Sequence, residues 1–224
     1  MRIFAMSDIH GDAAALDYAL SLIDLTDDNT QLILLGDYVH GGSDSYGVLD
    51  RIMEMEKKYG REKIVAIRGN HEEMALRGEW HLNEKYFDDE KDNNYIDWMD
   101  RLPLYYVEGN TIFVHAGIDE DVGEYWEDCT AEETFLWKYP AETGEIEGLD
   151  MKVVAGHVGT YEIADNPNFH EIYYDGKSHY YIDGTVRKSG VIPILMVDTE
   201  TDKYYRVTES GYWIIEKYNR EEWL

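Results

Sequence analysis

Short apolar segments alternate with amphipathic ones along the first seventy residues of the chain. Residues 2–6, 31–35 and 63–67 are short and mostly apolar, and the second of these holds four apolar residues in a row. Such runs are typical of strands buried on both faces of a parallel sheet. Between them, residues 11–24 and 46–59 carry apolar side chains at helical spacing. The pattern therefore predicts a strand–helix–strand–helix–strand unit with right-handed crossovers.

The remainder of the chain is richer in strand-forming residues. Residues 104–107 and 111–114 are predicted to form a hairpin, and residues 152–155 a single strand. Four segments rich in Tyr, Val and Ile follow, and each is predicted to be a strand: residues 179–182, 191–197, 204–207 and 212–218. Pro193 lacks the N–H that a strand ladder uses, so its segment should be an edge strand or begin after that residue. Short helices are predicted over residues 72–77 and 131–137.

Residues 78–100 interrupt this order with a polar, aromatic and acidic stretch. Because charge runs usually form solvated faces, we expect an exposed insertion, with a lid over a site as the alternative. The chain has no long linker or internal repeat, and its 224 residues fall within the size of one domain. We therefore predict a single α/β domain over residues 1–224, with a parallel βαβ front half and a more antiparallel back half.

The composition is strongly acidic, with 47 Asp and Glu residues against 20 Lys and Arg residues and a net charge of −27. Duplex binding relies on Lys and Arg, and anionic membranes repel acidic proteins, so neither stable nucleic-acid binding nor a membrane partner is expected. No signal-peptide pattern and no apolar run near ~18 residues is present, which predicts a cytoplasmic protein. The charge does not forbid an anionic substrate, because bound divalent metals reverse the local potential. The oligomeric state stays open.

Side chains of metal-ligand type follow five of the predicted apolar segments. They are Asp8 and His10, Asp37, Asn70 with His71, His115, and His157, each in or beside a glycine-containing loop. Two residues apart in an extended strand end, Asp8 and His10 point the same way and can share one metal. Asp37 can bridge to a second metal, which the Asn70 amide and the last two histidines would complete.

Mixed carboxylate and imidazole ligands suit manganese, iron or zinc better than calcium. Two such ions polarise a phosphoryl group and make hydroxide from water, so no serine or cysteine nucleophile is required. Taken singly, each residue is more readily explained as a turn residue or a buried core histidine. Their joint appearance in this order, each at a strand end, favours the metal-site interpretation.

The same motifs resemble those of the calcineurin-like metallophosphoesterases. The resemblance spans residues 8–157 and rests on Asp-x-His-Gly, Gly-Asp, Gly-Asn-His-Glu, His-Ala-Gly and Gly-His. Within the family it is greatest for the phosphoprotein phosphatase branch, which includes bacterial and phage serine/threonine phosphatases and symmetrical dinucleoside tetraphosphatases. Gly159, where many other members carry a second histidine, and the segment Ile182-Asp183-Gly184 also agree with this branch.

The resemblance implies a four-layer fold of the α+β type, in which helices flank a β-sandwich and a dinuclear metal site lies at one edge. It implies Asp8, His10 and Asp37 on one metal, and Asp37 with the three remaining ligands on the other: Asn70, His115 and His157. His71 would be the general acid that protonates the leaving oxygen.

Two departures from the family pattern concern phosphate binding. After Gly-Asp-Tyr-Val the branch has Asp-Arg-Gly, whereas this chain has His40-Gly41-Gly42. A second arginine commonly follows Leu-Trp, and here Lys138 follows Leu136-Trp137. Lysine replaces a bidentate arginine poorly, so the phosphate clamp should be absent or rebuilt. Lys138, Arg77 and Arg187 are the candidate substitutes.

Three functions are consistent with these motifs. The first is hydrolysis of phosphomonoesters by a metal-bound hydroxide, as in serine/threonine protein phosphatases. The second is hydrolysis of dinucleoside polyphosphates or phosphodiesters, which the altered clamp favours. The third is a non-catalytic member of the family. We rank it last because every proposed ligand position holds a suitable residue type.

Overall fold

The structure, a computed structural model, describes residues 1–80, 82 and 89–223. Within them the chain forms eleven β-strands and eight α-helices. The strands are β1 (Arg2–Met6), β2 (Thr30–Leu34), β3 (Ile64–Ala66), β4 (Tyr105–Glu108), β5 (Thr111–Val114), β6 (Lys152–Ala155), β7 (Tyr173–Tyr174), β8 (His179–Tyr181), β9 (Leu195–Asp198), β10 (Lys203–Thr208) and β11 (Gly211–Ile214). The helices are α1 (Ala13–Ser21), α2 (Ser45–Tyr59), α3 (Asn70–Leu76), α4 (Asp89–Met99), α5 (Trp126–Cys129), α6 (Glu132–Trp137), α7 (Thr160–Ile163) and α8 (Val186–Ser189).

The described strands form two mixed sheets. The first has the order β11-β10-β9-β1-β2-β3, and the second has the order β4-β5-β6-β8-β7. The strands β1, β2 and β3 run parallel, as the alternation of apolar segments predicts. In the second sheet β5, β6 and β8 are also parallel, with antiparallel neighbours at both edges. Parallel strands in both sheets bring two sets of carboxyl-terminal loops to one end of the molecule.

Three apolar clusters show the layers of the fold. Ile3 and Ile33 of the first sheet pack with Phe113 and Val154 of the second, so the two sheets face each other. The outer face of the first sheet is covered by apolar residues of α1, α2 and α4, whereas the outer face of the second packs on Trp126 and the short helices near it. The expected β-sandwich flanked by helices is confirmed.

The expected exposed insertion is wrong for the part of residues 78–100 that forms α4. Tyr95, Trp98 and Met99 of this helix are buried, and the Trp98 indole N–H donates to Glu56 at 2.9 Å. Their spacing places them on one face of the helix, so the packing of this apolar face outweighs the acidic composition. The alternative of a lid concerns residues 81 and 83–88, which lie outside the described residues.

Pro193 has the consequence expected from its missing N–H. Strand β9 begins at Leu195, two residues after the proline, and pairs on one side with β1 and on the other with β10. A late start rather than an edge position therefore accommodates the proline. Among the described residues, no helix combines the length and the apolar character that crossing a bilayer requires.

A buried ionic network ties the second sheet to the loops that cover it. The His179 ring at the start of β8 lies 2.7 Å from Asp175 and 3.1 Å from Glu120, and Lys138 reaches the same Glu120 oxygen at 2.8 Å. Burial lowers the pKa of His179, but the two carboxylates outweigh burial and raise it to about 9. The network therefore holds a charged histidine at neutral pH.

The His179 network predicts a pH-dependent stability. A histidine whose folded-state pKa is raised stabilises the fold fully below its unfolded pKa, and this contribution is lost as the pH rises through the folded value. Between about pH 6 and about pH 10, the free energy of unfolding of the wild type should therefore fall by on the order of 3 kcal/mol more than that of His179→Gln. Urea denaturation at both pH values measures this difference, and parallel pH profiles for the two proteins would contradict it.

Candidate metal centre

The candidate site lies where the carboxyl ends of both sheets meet. The loops after β1 and β2 continue the pairing of their strands, since the N–H groups of Asp8 and His10 donate to the carbonyls of Gly36 and Asp37 at 3.2 and 2.8 Å. The second sheet joins them through His115, whose Nδ1 donates to the Leu35 carbonyl at 2.8 Å. All seven residues that the sequence motifs single out are brought together at this junction.

Asp37 lies at the centre of this arrangement. Its carboxylate belongs to two groups of potential ligands, one with His10 and His71 and one with His115 and His157, within each of which the ligand atoms lie within 4.8 Å of one another. Its Oδ2 is 3.7 Å from Nε2 of His10, and its Oδ1 is 3.4 Å from Nε2 of His115. One carboxylate that faces two ligand groups through different oxygens has the geometry of a bridging ligand.

Asp8 and His10 lie side by side, with Oδ1 of the carboxylate 3.8 Å from Nε2 of the imidazole. Their closeness was predicted, but the reason was wrong, because both residues have a positive φ and not an extended strand backbone. The other oxygen of Asp8 accepts from the His157 backbone N–H at 3.0 Å, which links the β1 loop to the β6 loop. Burial and the charge of Asp37 raise the pKa of Asp8 to about 7, and burial raises that of Asp37 to about 6. A cation between these carboxylates would favour their ionised forms.

Unprotonated acceptor atoms of neighbouring side chains surround the Asn70 amide. Because His115 donates its Nδ1 proton to a carbonyl and burial lowers its pKa to about 3, its Nε2 carries a lone pair. The Asn70 side-chain oxygen faces that nitrogen at 2.8 Å and the His157 Nδ1 at 3.1 Å. Rotating the amide would instead turn its N–H groups toward the same nitrogens and toward Asp37. With the oxygen inward, the site is a cluster of hydrogen-bond acceptors. The lone pairs of these atoms are what a metal ion requires from its ligands.

His71 stands at the rim of this cluster. Its Nε2 lies 3.8 Å from Oδ2 of Asp37, and its Nδ1 lies 3.0 Å from Nδ1 of His40. Burial, followed by the positive charges of His10 and His40, lowers its pKa to about 3. The exposed Trp80 ring lies over both histidines, and its centroid is 4.9 Å from that of the His40 ring and 5.6 Å from that of the His71 ring. The geometry allows His71 to be either a metal ligand or a proton donor.

The loops of the first sheet are held together by Glu72. Its fully buried carboxylate accepts from the backbone N–H groups of Asp37, Tyr38 and Gly69 at 2.7, 2.8 and 3.0 Å. Any side chain on Gly69 would collide with the backbone nitrogen and carboxylate of Asp37, so glycine permits this close approach. The Asn-His-Glu motif thus supplies a candidate ligand, a rim histidine and the anchor of the β2 loop.

Asp183 is a part of the site to which the sequence analysis assigned no role. It is buried, and burial and the charge of Asp8 raise its pKa to about 8, while the charge of His10 lowers it. Its carboxylate accepts from the Thr185 N–H at 2.7 Å, just before α8. The signal was present in the Ile182-Asp183-Gly184 segment, which follows a strand in the same way as the other motifs.

Comparison with known proteins identifies the family. A family model described as calcineurin-like phosphoesterase matches residues 1–196. This chain belongs to the calcineurin-like phosphoesterase family. The family resemblance of the motifs is thereby confirmed.

Curated relatives and solved structures agree with this assignment. A protein named symmetrical bis(5'-nucleosyl)-tetraphosphatase from Nitrosospira multiformis is 29% identical over 126 residues, which are 53% of this chain and 44% of that protein. The chain thus matches less than half the length of this curated relative. A serine/threonine phosphatase from Saccharomyces cerevisiae has the same fold, with a TM-score of 0.67, 13% identity and coverage of 96% of this chain and 79% of that one. A cold-active protein tyrosine phosphatase from Shewanella gives a TM-score of 0.65 at 14% identity, covering 96% and 80%.

The three cations named as substitutes for the arginine clamp differ in their surroundings. Lys138 is held by Glu120 and Glu142 at 2.8 and 2.9 Å, so its charge is already paired. Arg77 pairs with Glu73 at 2.8 Å on α3. Arg187 lies instead against Gly41, beside the rim histidines.

The raised pKa values of the two aspartates predict how metal binding depends on pH. In the metal-free protein, Asp8 and Asp37 stabilise the fold most when protonated, and this contribution is lost as the pH rises through about 6 to 7. Metal binding needs the ionised carboxylates, so the rise in Tm on adding manganese should be larger near pH 8 than near pH 5.

Thermal melts with and without manganese at both pH values measure this effect. The matched control is Asp37→Asn, which keeps the size of the side chain and should weaken manganese binding by at least about 100-fold. An equal Tm shift at both pH values, or full manganese binding by Asp37→Asn, would contradict the assignment of these carboxylates as ligands.

Proposed function

We propose that this chain hydrolyses phosphomonoesters at a two-metal site, in the manner of serine/threonine protein phosphatases. The observation that carries the proposal is the position of Asp37, whose two carboxylate oxygens face separate groups of ligand atoms. Every predicted ligand type is present at this junction, which argues against a non-catalytic family member.

The residues divide between two cation positions. Asp8, His10 and Asp37 would hold one ion, and Asp37 with Asn70, His115 and His157 would hold the other. Manganese, iron or zinc ions bound there would supply polarisation of the phosphoryl group and a water of lowered pKa. The chain itself supplies a preorganised set of lone pairs, because the Leu35 carbonyl fixes the His115 tautomer and the Asp37 loop is anchored by Glu72.

His71 is the proposed proton donor to the leaving oxygen. One of the two facing nitrogens of His71 and His40 must carry the proton of their hydrogen bond. When His40 donates, neutral His71 keeps its own proton on Nε2, the nitrogen directed toward Asp37. A neutral imidazole placed in this way donates a hydrogen bond to an oxygen on which charge develops, and when the Nε2 proton moves to that oxygen a protonated His40 passes the shared proton to Nδ1, so that His71 stays neutral. His40 therefore orients His71, from the position at which the family pattern has an aspartate.

Substitution of His71 separates the acid role from a ligand role. In His71→Ala, kcat for p-nitrophenyl phosphate should fall by about 10²–10⁴-fold because the positioned proton donor is lost. The manganese content per chain should remain that of the wild type. Loss of bound manganese together with activity would show instead that His71 is a ligand.

A second candidate function is hydrolysis of a dinucleoside polyphosphate. Two observations favour it: the curated relatives are named as symmetrical tetraphosphatases, and the exposed Trp80 ring lies beside His71. Stacking of a nucleobase on an aromatic ring contributes about 1–3 kcal/mol, so Trp80 would add affinity for a nucleoside but not for a serine phosphate.

A substrate comparison distinguishes the two functions. On the manganese-loaded protein, the proposed function predicts that kcat/KM for a phosphoserine peptide without aromatic residues exceeds that for a dinucleoside tetraphosphate, and that Trp80→Ala leaves it unchanged. The alternative predicts the reverse order, with KM for the tetraphosphate rising about tenfold or more in Trp80→Ala. Absence of turnover for both, and for p-nitrophenyl phosphate, would contradict both functions.

A further inference from the structure

Arg187 is an exposed arginine on the four-residue helix α8. Over the described part of the chain, no carboxylate forms an ion pair with its guanidinium. This is notable in a chain of net charge −27, in which arginines at other positions pair with acidic neighbours, as Arg51 does with Asp17 and Arg77 with Glu73.

The side chain of Arg187 occupies the space beside Gly41. The first carbon of any side chain at position 41 would lie 2.8 Å from Cδ of Arg187 and 2.9 Å from both Nε and Nη1. Gly41 also has a φ of +100°, which favours glycine. The absence of a side chain at position 41 is therefore what lets an arginine from a distant part of the sequence reach this place.

Position 41 belongs to the rim of the metal centre. The carbonyl of His40 lies 3.2 Å from Nδ1 of His10, and the His40 ring meets His71. On the other side, the Gly42 N–H donates to the His10 carbonyl at 2.6 Å. The segment 40–42 thus connects a ligand residue to the rim histidine, and Arg187 lies along its middle residue.

We propose that Arg187 forms the phosphate-binding subsite of this chain, and that it binds the non-bridging oxygens of the phosphoryl group that the metal centre receives. The inference rests on the proposed function. A guanidinium offers a planar set of N–H donors that matches phosphate oxygens in pairs, which a lysine ammonium does not. The subsite is therefore built from the C-terminal part of the chain across a glycine, rather than from the loop after β2.

The other two candidate cations are already held by carboxylates. Lys138 cannot take this role while Glu120 and Glu142 hold its ammonium, and Arg77 is held by Glu73. Arg187 combines a position at the rim with N–H donors that no carboxylate of the described residues engages.

The test measures binding of inorganic phosphate to the manganese-loaded protein by calorimetry. Arg187→Gln should raise the Kd for phosphate by about tenfold or more, and Arg187→Lys should give an intermediate value, because charge-assisted paired hydrogen bonds are lost in the first and reduced in the second. The matched control is Lys188→Gln, which makes the same change of charge one residue further along. Its ammonium lies over the Tyr161 ring at 4.2 Å, away from Gly41, so phosphate binding should change less than about twofold.

Manganese content and Tm should be the same in all four proteins, which excludes unfolding or metal loss as the cause. The subsite is overturned if Arg187→Gln binds phosphate as Lys188→Gln does, or if the manganese-loaded wild type binds no phosphate. Kinetics with p-nitrophenyl phosphate separate this result from the proposed function. If the protein turns over p-nitrophenyl phosphate but Arg187→Gln and Lys188→Gln bind phosphate equally, only the subsite is contradicted. If their phosphate affinities differ but no phosphoester is turned over, Arg187 belongs to an anion site and the proposed hydrolase function is contradicted.

Discussion

The buried carboxylate of Glu72 is the interaction on which the candidate site depends. It accepts hydrogen bonds from backbone N–H groups of the loop after β2 and of the turn that starts α3. Without it, three donors would stay unsatisfied in a dry interior, at a cost on the order of 1–3 kcal/mol each. Because two of these donors are the N–H groups of Asp37 and Tyr38, the position of the proposed bridging carboxylate is set by a side chain that does not itself face the candidate ligands.

The same junction concentrates unusual backbone conformations. Within residues 1–80, 82 and 89–223, eight residues other than glycine have a positive φ, and five of them surround the site: Asp8, His10, Asp37, His40 and His157. A left-handed conformation costs non-glycine residues of order 1–3 kcal/mol, so it persists only where the surroundings fix it. Three interactions fix them here. They are the hydrogen bonds between the β1 and β2 loops, the Glu72 anchor, and the hydrogen bond that the His157 backbone N–H donates to Asp8. The strained residues turn their side chains out of the strand direction and toward one point.

Most of this arrangement could be predicted from the sequence because it follows from strand ends. A short apolar run that stops at a polar residue beside a glycine marks where a parallel strand delivers a side chain, and Asp8, Asp37 and His115 each follow that rule. Contacts between segments far apart in sequence could not be predicted in this way. The packing of α4 depended on an apolar face within an acidic segment. The proposed role of Arg187 depends on space left by Gly41, which becomes visible only when residues 41 and 187 are seen to be neighbours.

The balance of charge shows why a strongly acidic chain is compatible with an anionic substrate. At physiological salt the field of the surface carboxylates is screened within about 8 Å, so the net charge of −27 acts weakly on a ligand that has already reached the site. What such a ligand meets is decided locally. Buried aspartates without a cation would repel it and are themselves costly to ionise, whereas the same aspartates around two cations present a positive centre. In the proposed function, the acidic candidate ligands and an anionic substrate are thus compatible through the metal ions that the site would hold, so the donor set around Asp37 is central to the proposed reaction.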